Sequence, residues 1–251
     1  MNQAMVKSEN PPLVSPPLPK EQVVQRMFSS IAGRYDLNNT LLSLGLHHRW
    51  KRSAVTAAGL QAGDQALDLC TGTADLALLM AKQVGPTGRV IGLDFNDTML
   101  EIGRRKVLRA GLSDRITLTL GNALSLQFQP ESFDAVTVAF GVRNVADFDL
   151  VFREMWRVLK PGGRVVCLEF SRPTPAIFRW LYRLYSFQLL PYLGRIVSGD
   201  RTGVYDYLPA SILEFPDQES LVRLMRKSGF EDVRYQNLTG GIVAIHVGVK
   251  R

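Results

Sequence analysis

The spacing of apolar positions changes along the chain, and the change divides it. Between Glu21 and Ala54 apolar residues recur every three or four positions, with Val24, Met27, Phe28 and Ile31 on one stripe. Leu41, Leu44, Trp50 and Ala54 form a second stripe after a break at YDLNN, residues 35–39. This spacing predicts two amphipathic helices. From Ala66 onward short β-rich runs take over: ALDLC, RVIGLD, ITLTLGN, FDAVTVAF and RVVCLEF. Helical segments near 74–84, 97–110 and 147–159 separate them. Strands alternating with helices predict parallel βαβ units, hence an α/β fold with a doubly wound, mostly parallel sheet. Asp217 is positioned as the N-cap of a helix ending near Gly229. After it, EDVRYQNL and GIVAIHVGVK, joined through Thr239, Gly240 and Gly241, read as a hairpin that gives the sheet an antiparallel edge. The expected sheet has seven strands, preceded by the N-terminal helices.

Two stretches stand apart from this pattern. Residues 1–19 carry five prolines between Pro11 and Pro19 and little to bury, so they read as a flexible tail, leaving 20–251 as a single domain. Residues 172–215 interrupt the strand–helix alternation and look like a helical insertion. From Ser171 to Gly199 no acidic residue occurs, while Arg172, Arg179, Arg183 and Arg195 alternate with Phe178, Trp180, Tyr182, Tyr185, Phe187 and Tyr192.

Composition then excludes several classes. A hydrophobic fraction of 46% and a charged fraction of 21% fit a globular chain rather than a disordered one. No apolar run approaches the ~18 residues of a spanning helix, and the N-terminus lacks a secretory hydrophobic core, which points to the cytoplasm. Only Cys70 and Cys167 are present, read as buried core, and the histidines at 47, 48 and 246 are too scattered for a metal site. No metal is expected. The net charge of +7 is compatible with nucleic acid, anionic lipid or simple solubility.

In a doubly wound sheet ligands bind at the carboxyl ends of the strands. The first strand ends in Asp68-Leu69-Cys70-Thr71-Gly72-Thr73-Ala74-Asp75, which lacks the glycine triplet of a dinucleotide loop. The second ends in Asp94, about twenty residues on, where a carboxylate can accept ribose hydroxyls. The third ends in Gly121-Asn122-Ala123, where a polar side chain can reach an adenine edge. An acid in the first strand, a tight turn, an acid ending the second and a closing hairpin together resemble the class I S-adenosylmethionine-dependent methyltransferases. That resemblance implies that Asp68 takes the methionine ammonium and that Gly72 and Thr73 let the backbone approach the cofactor. Taken singly, Asp68, Asp94 and Asn122 are equally readable as caps and turn formers.

Longer motifs narrow the resemblance. Residues 35–50, YDLNNTLLSLGLHHRW, look like the amino-terminal signature of the ubiquinone/menaquinone biosynthesis C-methyltransferases, with Tyr35, Asp36, Asn39, Ser43, His47 and Trp50 in register. RVLKPGG at 157–163 with LEFS at 168–171 is similar to that family's second signature, FGVRNV at 140–145 lies between them, and NLTGG at 237–241 fits its closing turn. The likeness covers about residues 21–251. It implies S-adenosylmethionine as methyl donor, with contacts at Thr73, Asp94, Asn122 and Ala123, and a prenylated quinol lipid as acceptor, demethylmenaquinol to menaquinol being the usual reaction. A ubiquinone precursor or a phytyl naphthoquinol remains an alternative acceptor. Ala74, Asn38 and Ala139 depart from the family pattern, and Ala74 in place of glycine bears on how closely the backbone approaches the cofactor.

Because the sulfonium methyl is already activated, the protein has to make a ring carbon nucleophilic by favouring the phenolate, whose pKa of ~10 leaves it protonated at neutral pH. The resemblance points to Arg143 and Asn144 after the fourth strand. Arginine is a poor base, so Arg143 is read as the electrostatic stabiliser of the phenolate, with a water taking the proton; anchoring of the loop is its alternative role. Tyr35, with Asp36, closes over the ring or forms a turn between helices. His47 is read as a packing residue. The stretch 172–195, and 176–190 within it, is expected as a lid and peripheral membrane contact at the inner face of the membrane, with a homodimer interface as the competing reading. A nucleic-acid methyltransferase would carry an Asn/Asp-Pro-Pro-aromatic loop or a Pro-Cys nucleophile where this chain has AFGVRN, so no nucleic-acid partner is expected. A noncatalytic partner of quinone assembly is the remaining alternative.

Overall fold

A computed structural model describes residues 19–175, 178 and 204–251. The tail at 1–18 and residues 176, 177 and 179–203, which hold most of the expected lid and membrane segment, lie outside the described residues.

The chain begins with α1 (Pro19–Ile31), a single 3-10 turn at Ala32–Arg34, α2 (Tyr35–Leu42) and α3 (Leu46–Ala58). YDLNN is therefore not a break: it opens α2, with Asp36 in the first turn, where a negative charge favours a helix N-terminus. The break falls later, at Ser43–Gly45, so Leu44 lies in a turn rather than in the second helix. The alternating part follows as β1 (Gln65–Leu69), α4 (Asp75–Val84), β2 (Arg89–Asp94), α5 (Asp97–Arg109), β3 (Ile116–Leu120), β4 (Phe133–Ala139), α6 (Phe148–Val158) and β5 (Leu159–Phe170). After it come α7 (Val204–Glu214), α8 (Gln218–Lys227), β6 (Glu231–Leu238) and β7 (Val243–Val249).

Local chemistry sets these boundaries. The side chains of Asn96, Asp147 and Asp217 accept hydrogen bonds from the amides of Met99, Leu150 and Ser220, and so cap α5, α6 and α8. The sheet order is β3-β2-β1-β4-β5-β7-β6. Its first five strands pair in parallel, and β7 pairs antiparallel with both β5 and β6. The fold is the expected seven-stranded, doubly wound α/β sheet with an antiparallel closing hairpin.

Side chains alternate across this sheet. Leu67, Leu69, Val136 and Val138 join Phe152, Met155, Leu221 and Met225 of α6 and α8 on one face. Ala66 and Ala135 join Trp50, Ala54, Ala77 and Met80 of α3 and α4 on the other. Asp68 and Thr137, two positions after Ala66 and Ala135, fall on this second face at the strand ends.

Chain order reverses between β1 and β4, which makes their tips the switch point where ligands bind. Here the backbone is strained. Cys70 and Phe140, the residues just past β1 and β4, have φ of 53° and 57°, a region that L side chains seldom adopt. Gly141 lets the two tips meet, because a Cβ on it would lie 2.3 Å from Cys70 Cβ. Gly141→Ala should therefore destabilise the protein by about 1–3 kcal/mol, the usual penalty for overpacking. Urea unfolding measures this, and an unchanged midpoint would mean that the tips can separate freely.

Candidate active site

Two carboxylates define the site. Asp68 is 1% exposed and accepts hydrogen bonds from the hydroxyls of Thr71 (2.6 Å) and Thr137 (2.8 Å). Burial pushes its pKa up to about 6 against the opposing pull of these hydroxyls and of Lys51. Asp94 ends β2 and accepts from the backbone amides of Gly72 (2.8 Å) and Asn96 (2.9 Å). Its pKa is likewise raised by burial to about 6. Neither forms an ion pair with a described residue. The donors around them are neutral, so both carboxylates keep lone pairs for a cation or for hydroxyl groups, the chemistry of a methionine ammonium and a ribose.

The connecting turn brings backbone to this spot. Gly72 is left-handed at φ 55°. Ala74, expected to hinder the approach, takes the glycine-like conformation itself at φ 66° and is fully buried, so its departure from glycine is absorbed as strain at the start of α4.

The N-terminal helices are fastened over this turn by charge. Asp36 of α2 accepts from Thr73 Oγ1 (2.6 Å) and from Lys106 Nζ of α5 (2.7 Å). Lys106 also pairs with Asp75, which pairs with Lys51 of α3 at 2.8 Å. Burial alone would raise Asp75, but the two ammonium groups hold its carboxyl well below the usual carboxylate range. Asp36 is thus a fastener of the helical cap, and Thr73 is bound by it rather than free in the cavity.

Two cavities open at the strand tips. The larger, of about 570 Å³, takes in Asp68, Gly72 and Thr73 together with Tyr35 and Arg143. Its walls are apolar and aromatic: Phe28, Leu42, Trp50, Phe140, Phe170 and Ile212 among others. Phe140 packs between Trp50 (6.1 Å between ring centroids) and Phe170 (4.9 Å). The smaller cavity, of about 30 Å³, is lined by Asp94, Asn122, Ala123 and Asn144 under Glu21 of α1. Helix α1 is held there by Gln25 Nε2 donating to the Phe95 carbonyl (3.1 Å) and Asn96 Nδ2 donating to the Gln25 carbonyl (3.0 Å).

The expected catalytic set is thus divided. Arg143 and Tyr35 share the larger cavity, whereas Asn144 faces the smaller one and accepts from the Tyr207 hydroxyl at 3.1 Å. Cys167 is buried core as expected, but Cys70 is not: it lines both cavities. His47 is buried against Ser43 Oγ at 2.8 Å, and burial first, then Lys51, lowers its pKa to about 4, which leaves it neutral. Among the described residues no group of three His, Cys, Asp or Glu side chains is placed to hold a metal ion.

One partner went unread in the sequence. Glu169, 1% exposed, accepts from Arg143 Nη1 at 2.8 Å and faces the Arg143 amide at 3.4 Å. The Phe140 carbonyl accepts from the same Nη1. The Arg143 guanidinium lies 5.4 Å from the centre of the Phe170 ring, and its buried Nε has no partner. Glu169 therefore fixes the guanidinium while leaving donors uncommitted. A lone charge inside the apolar run VVCLEF was the available signal, since a buried carboxylate requires a partner.

The sequence profile of the ubiE/COQ5 methyltransferase family matches residues 18–250. The chain is 46% identical over 231 residues to the ubiquinone/menaquinone biosynthesis C-methyltransferase UbiE of Hahella chejuensis, covering 92% of each. It is 47% identical over 227 residues to the protein of the same name from Edwardsiella ictaluri, covering 90% of each. Among solved structures, the [4+2]-cyclase SpnF superposes with a TM-score of 0.69 at 18% identity, covering 94% of this chain and 98% of that one. A Haemonchus contortus phosphoethanolamine N-methyltransferase 2, solved with S-adenosylhomocysteine, superposes with a TM-score of 0.67 at 15% identity, covering 93% of this chain and 60% of that one. At these identities the two structures are likenesses of fold.

Two outcomes follow for S-adenosylmethionine binding. Asp94→Ala should raise its Kd tenfold or more, as expected from ~1.5–3 kcal/mol for hydrogen bonds to a charged group. Unchanged binding by calorimetry would mean that the ribose lies elsewhere. The ionised forms of Asp68 and Asp94 are the ones that accept, so affinity should be full above pH about 6 and fall as pH drops through that value. Asp68→Asn should weaken binding and flatten the pH profile, and a profile as steep as wild type would exclude Asp68 as the titrating group.

Proposed function

Since the chain belongs to the ubiE/COQ5 methyltransferase family and is an S-adenosylmethionine-dependent C-methyltransferase of ubiquinone/menaquinone biosynthesis, we propose that its reaction is the methylation of demethylmenaquinol to menaquinol. The observation that carries this reading is the larger cavity, where Trp50, Phe140 and Phe170 share the lining with Arg143, whose guanidinium bonds to described residues only through Nη1. A fused naphthoquinol ring suits a cavity whose lining combines aromatic and aliphatic side chains with a buried arginine.

S-adenosylmethionine supplies a methyl group on a positively charged sulfur. The residues present fit it: Asp68 is a buried carboxylate that pairs with no described cation and would take the ammonium, and Asp94, with spare acceptor capacity, would take the ribose hydroxyls. Gly72 and Thr73 supply the turn beside the methionine portion, and Asn122 and Ala123 an edge for the adenine. On the acceptor side, Arg143 donates to the ring oxygen and favours its ionised form, which pushes electron density onto the neighbouring carbon. A water carries the phenolic proton away. Tyr35 contacts the ring from the helical cap, and Asn144, held by Tyr207, supports the turn that presents Arg143. Glu169 acts through Arg143 as a positioning residue.

The deciding experiment is methyl transfer from labelled S-adenosylmethionine to reduced demethylmenaquinone in detergent micelles, with the oxidised quinone and a reduced ubiquinone precursor alongside. Methylation of the reduced naphthoquinol alone is expected. Equal turnover of a methoxy benzoquinol would overturn the choice of ring, and no transfer to any quinol despite cofactor binding would overturn the quinol reading. Arg143→Met should lower kcat by about 10²-fold, the typical loss on removing one oxyanion donor, with cofactor Kd unchanged. Glu169→Gln should lower kcat by less and shift the pH–rate profile, whereas Glu169→Asp should restore part of the rate. A Glu169→Gln enzyme with wild-type kcat and pH profile would reduce the pair to a structural role.

A further inference from the structure

Leu44 is the most exposed large apolar residue described, at 88%, and its backbone is left-handed at φ 50°. It follows α2 in the turn where its amide donates to the Leu41 carbonyl and the Gly45 amide to the Thr40 carbonyl. Glycine or asparagine commonly fills such a helix-terminating position, because a branched side chain there is strained. A leucine that is strained and almost wholly in solvent gains nothing from the fold. Within α2, Leu41 and Leu37, one turn apart, are 47% and 56% exposed.

The surroundings say what would meet these leucines. Leu41 and Leu44 also line the larger cavity, so its lining includes apolar side chains exposed to solvent as well as Trp50, Phe140 and Phe170. No acidic residue occurs between Leu37 and Gly63. Arg34 precedes the leucines by one turn, and His48, Arg49 and Arg52 follow them on the outer face of α3, all exposed. Arg49 and Arg52 form no ion pair among the described residues. Three leucines are far fewer than the ~20 residues a side of a stable protein interface, whereas a few apolar side chains ringed by arginine suit an anionic bilayer.

We propose that Leu37, Leu41 and Leu44, flanked by Arg34, Arg49 and Arg52, dock the mouth of the larger cavity onto an anionic lipid surface. The reason for such docking rests on the quinol reading above, since a prenyl chain leaving the cavity along Leu41 and Leu44 would pass directly into the bilayer. The contact itself needs no quinol, and its test contains none.

The test is flotation of the full-length protein with vesicles of phosphatidylcholine, alone or mixed with phosphatidylglycerol. Wild type should float with the mixed vesicles, and added salt should reduce binding. Leu44→Asn suits the left-handed turn, and Leu37→Asp touches no cavity wall. Each should lower partitioning about tenfold, the value of one buried leucine, with melting temperature unchanged. Arg49→Ala with Arg52→Ala should remove the preference for phosphatidylglycerol. Leu37→Asp should retain methyl transfer in detergent micelles, so loss of docking and failure of the quinol reading are separate results. Absence of wild-type binding to either vesicle, full binding by both leucine variants, or a wild-type dimer in solution that Leu44→Asn dissolves would overturn the proposal.

Discussion

Two carboxylates buried side by side with only neutral donors are the constraint around which the strand tips are organised. A desolvated carboxylate is costly, and the protein lowers that cost with threonine hydroxyls at Asp68 and backbone amides at Asp94. Among the described residues neither carboxylate forms an ion pair. Both folded-state pKa values are raised, so the stabilising contribution of the protonated forms is present at low pH and lost as pH rises through about 6. At neutral pH both carboxylates are largely ionised, and no described residue pairs with either. The parallel order of β2, β1 and β4 brings these groups to one edge, and the left-handed residues at 70, 72, 74 and 140 are the strain accepted to keep them there.

Around the neighbouring turn and Arg143, charges are paired, and the contrast is informative. Lys51, Asp75, Lys106 and Asp36 neutralise one another and tie three helices to the turn carrying Thr73. Arg143 and Glu169 pair in a drier place, at 6% and 1% side-chain exposure. A buried ion pair adds little net stability, because desolvation offsets the attraction, but it fixes geometry. The guanidinium donates through Nη1 to the Glu169 carboxylate and the Phe140 carbonyl, and its buried Nε bonds to no described residue.

Much of this was legible because local rules and global topology agree. The alternation of apolar runs from Ala66 gives the strands and their order of appearance, and carboxylates at strand ends mark the ligand edge. The misread segment is instructive. YDLNN carries turn-forming residues, yet it is helical because Asp36 is held by Lys106 and Thr73, which are distant in sequence. Turn propensity is local, and the ion pairs that override it are not. The docking of α1 over the smaller cavity was equally hidden, since an amphipathic stripe says that a helix packs but not where. Asn144 could be placed after β4 but not assigned to a cavity, because a 3-10 turn at Val142–Asn144 sends successive side chains in different directions.

Cys70 lines both cavities, so its thiol borders the space in which the methyl transfer proposed above would take place. Burial, reinforced by the negative charges of Asp94, Asp68 and Glu169, pushes that thiol well above its ordinary range and keeps it protonated. Only the thiolate is a competent nucleophile. The carboxylates at this edge thus also keep the Cys70 thiol in its protonated, poorly nucleophilic form.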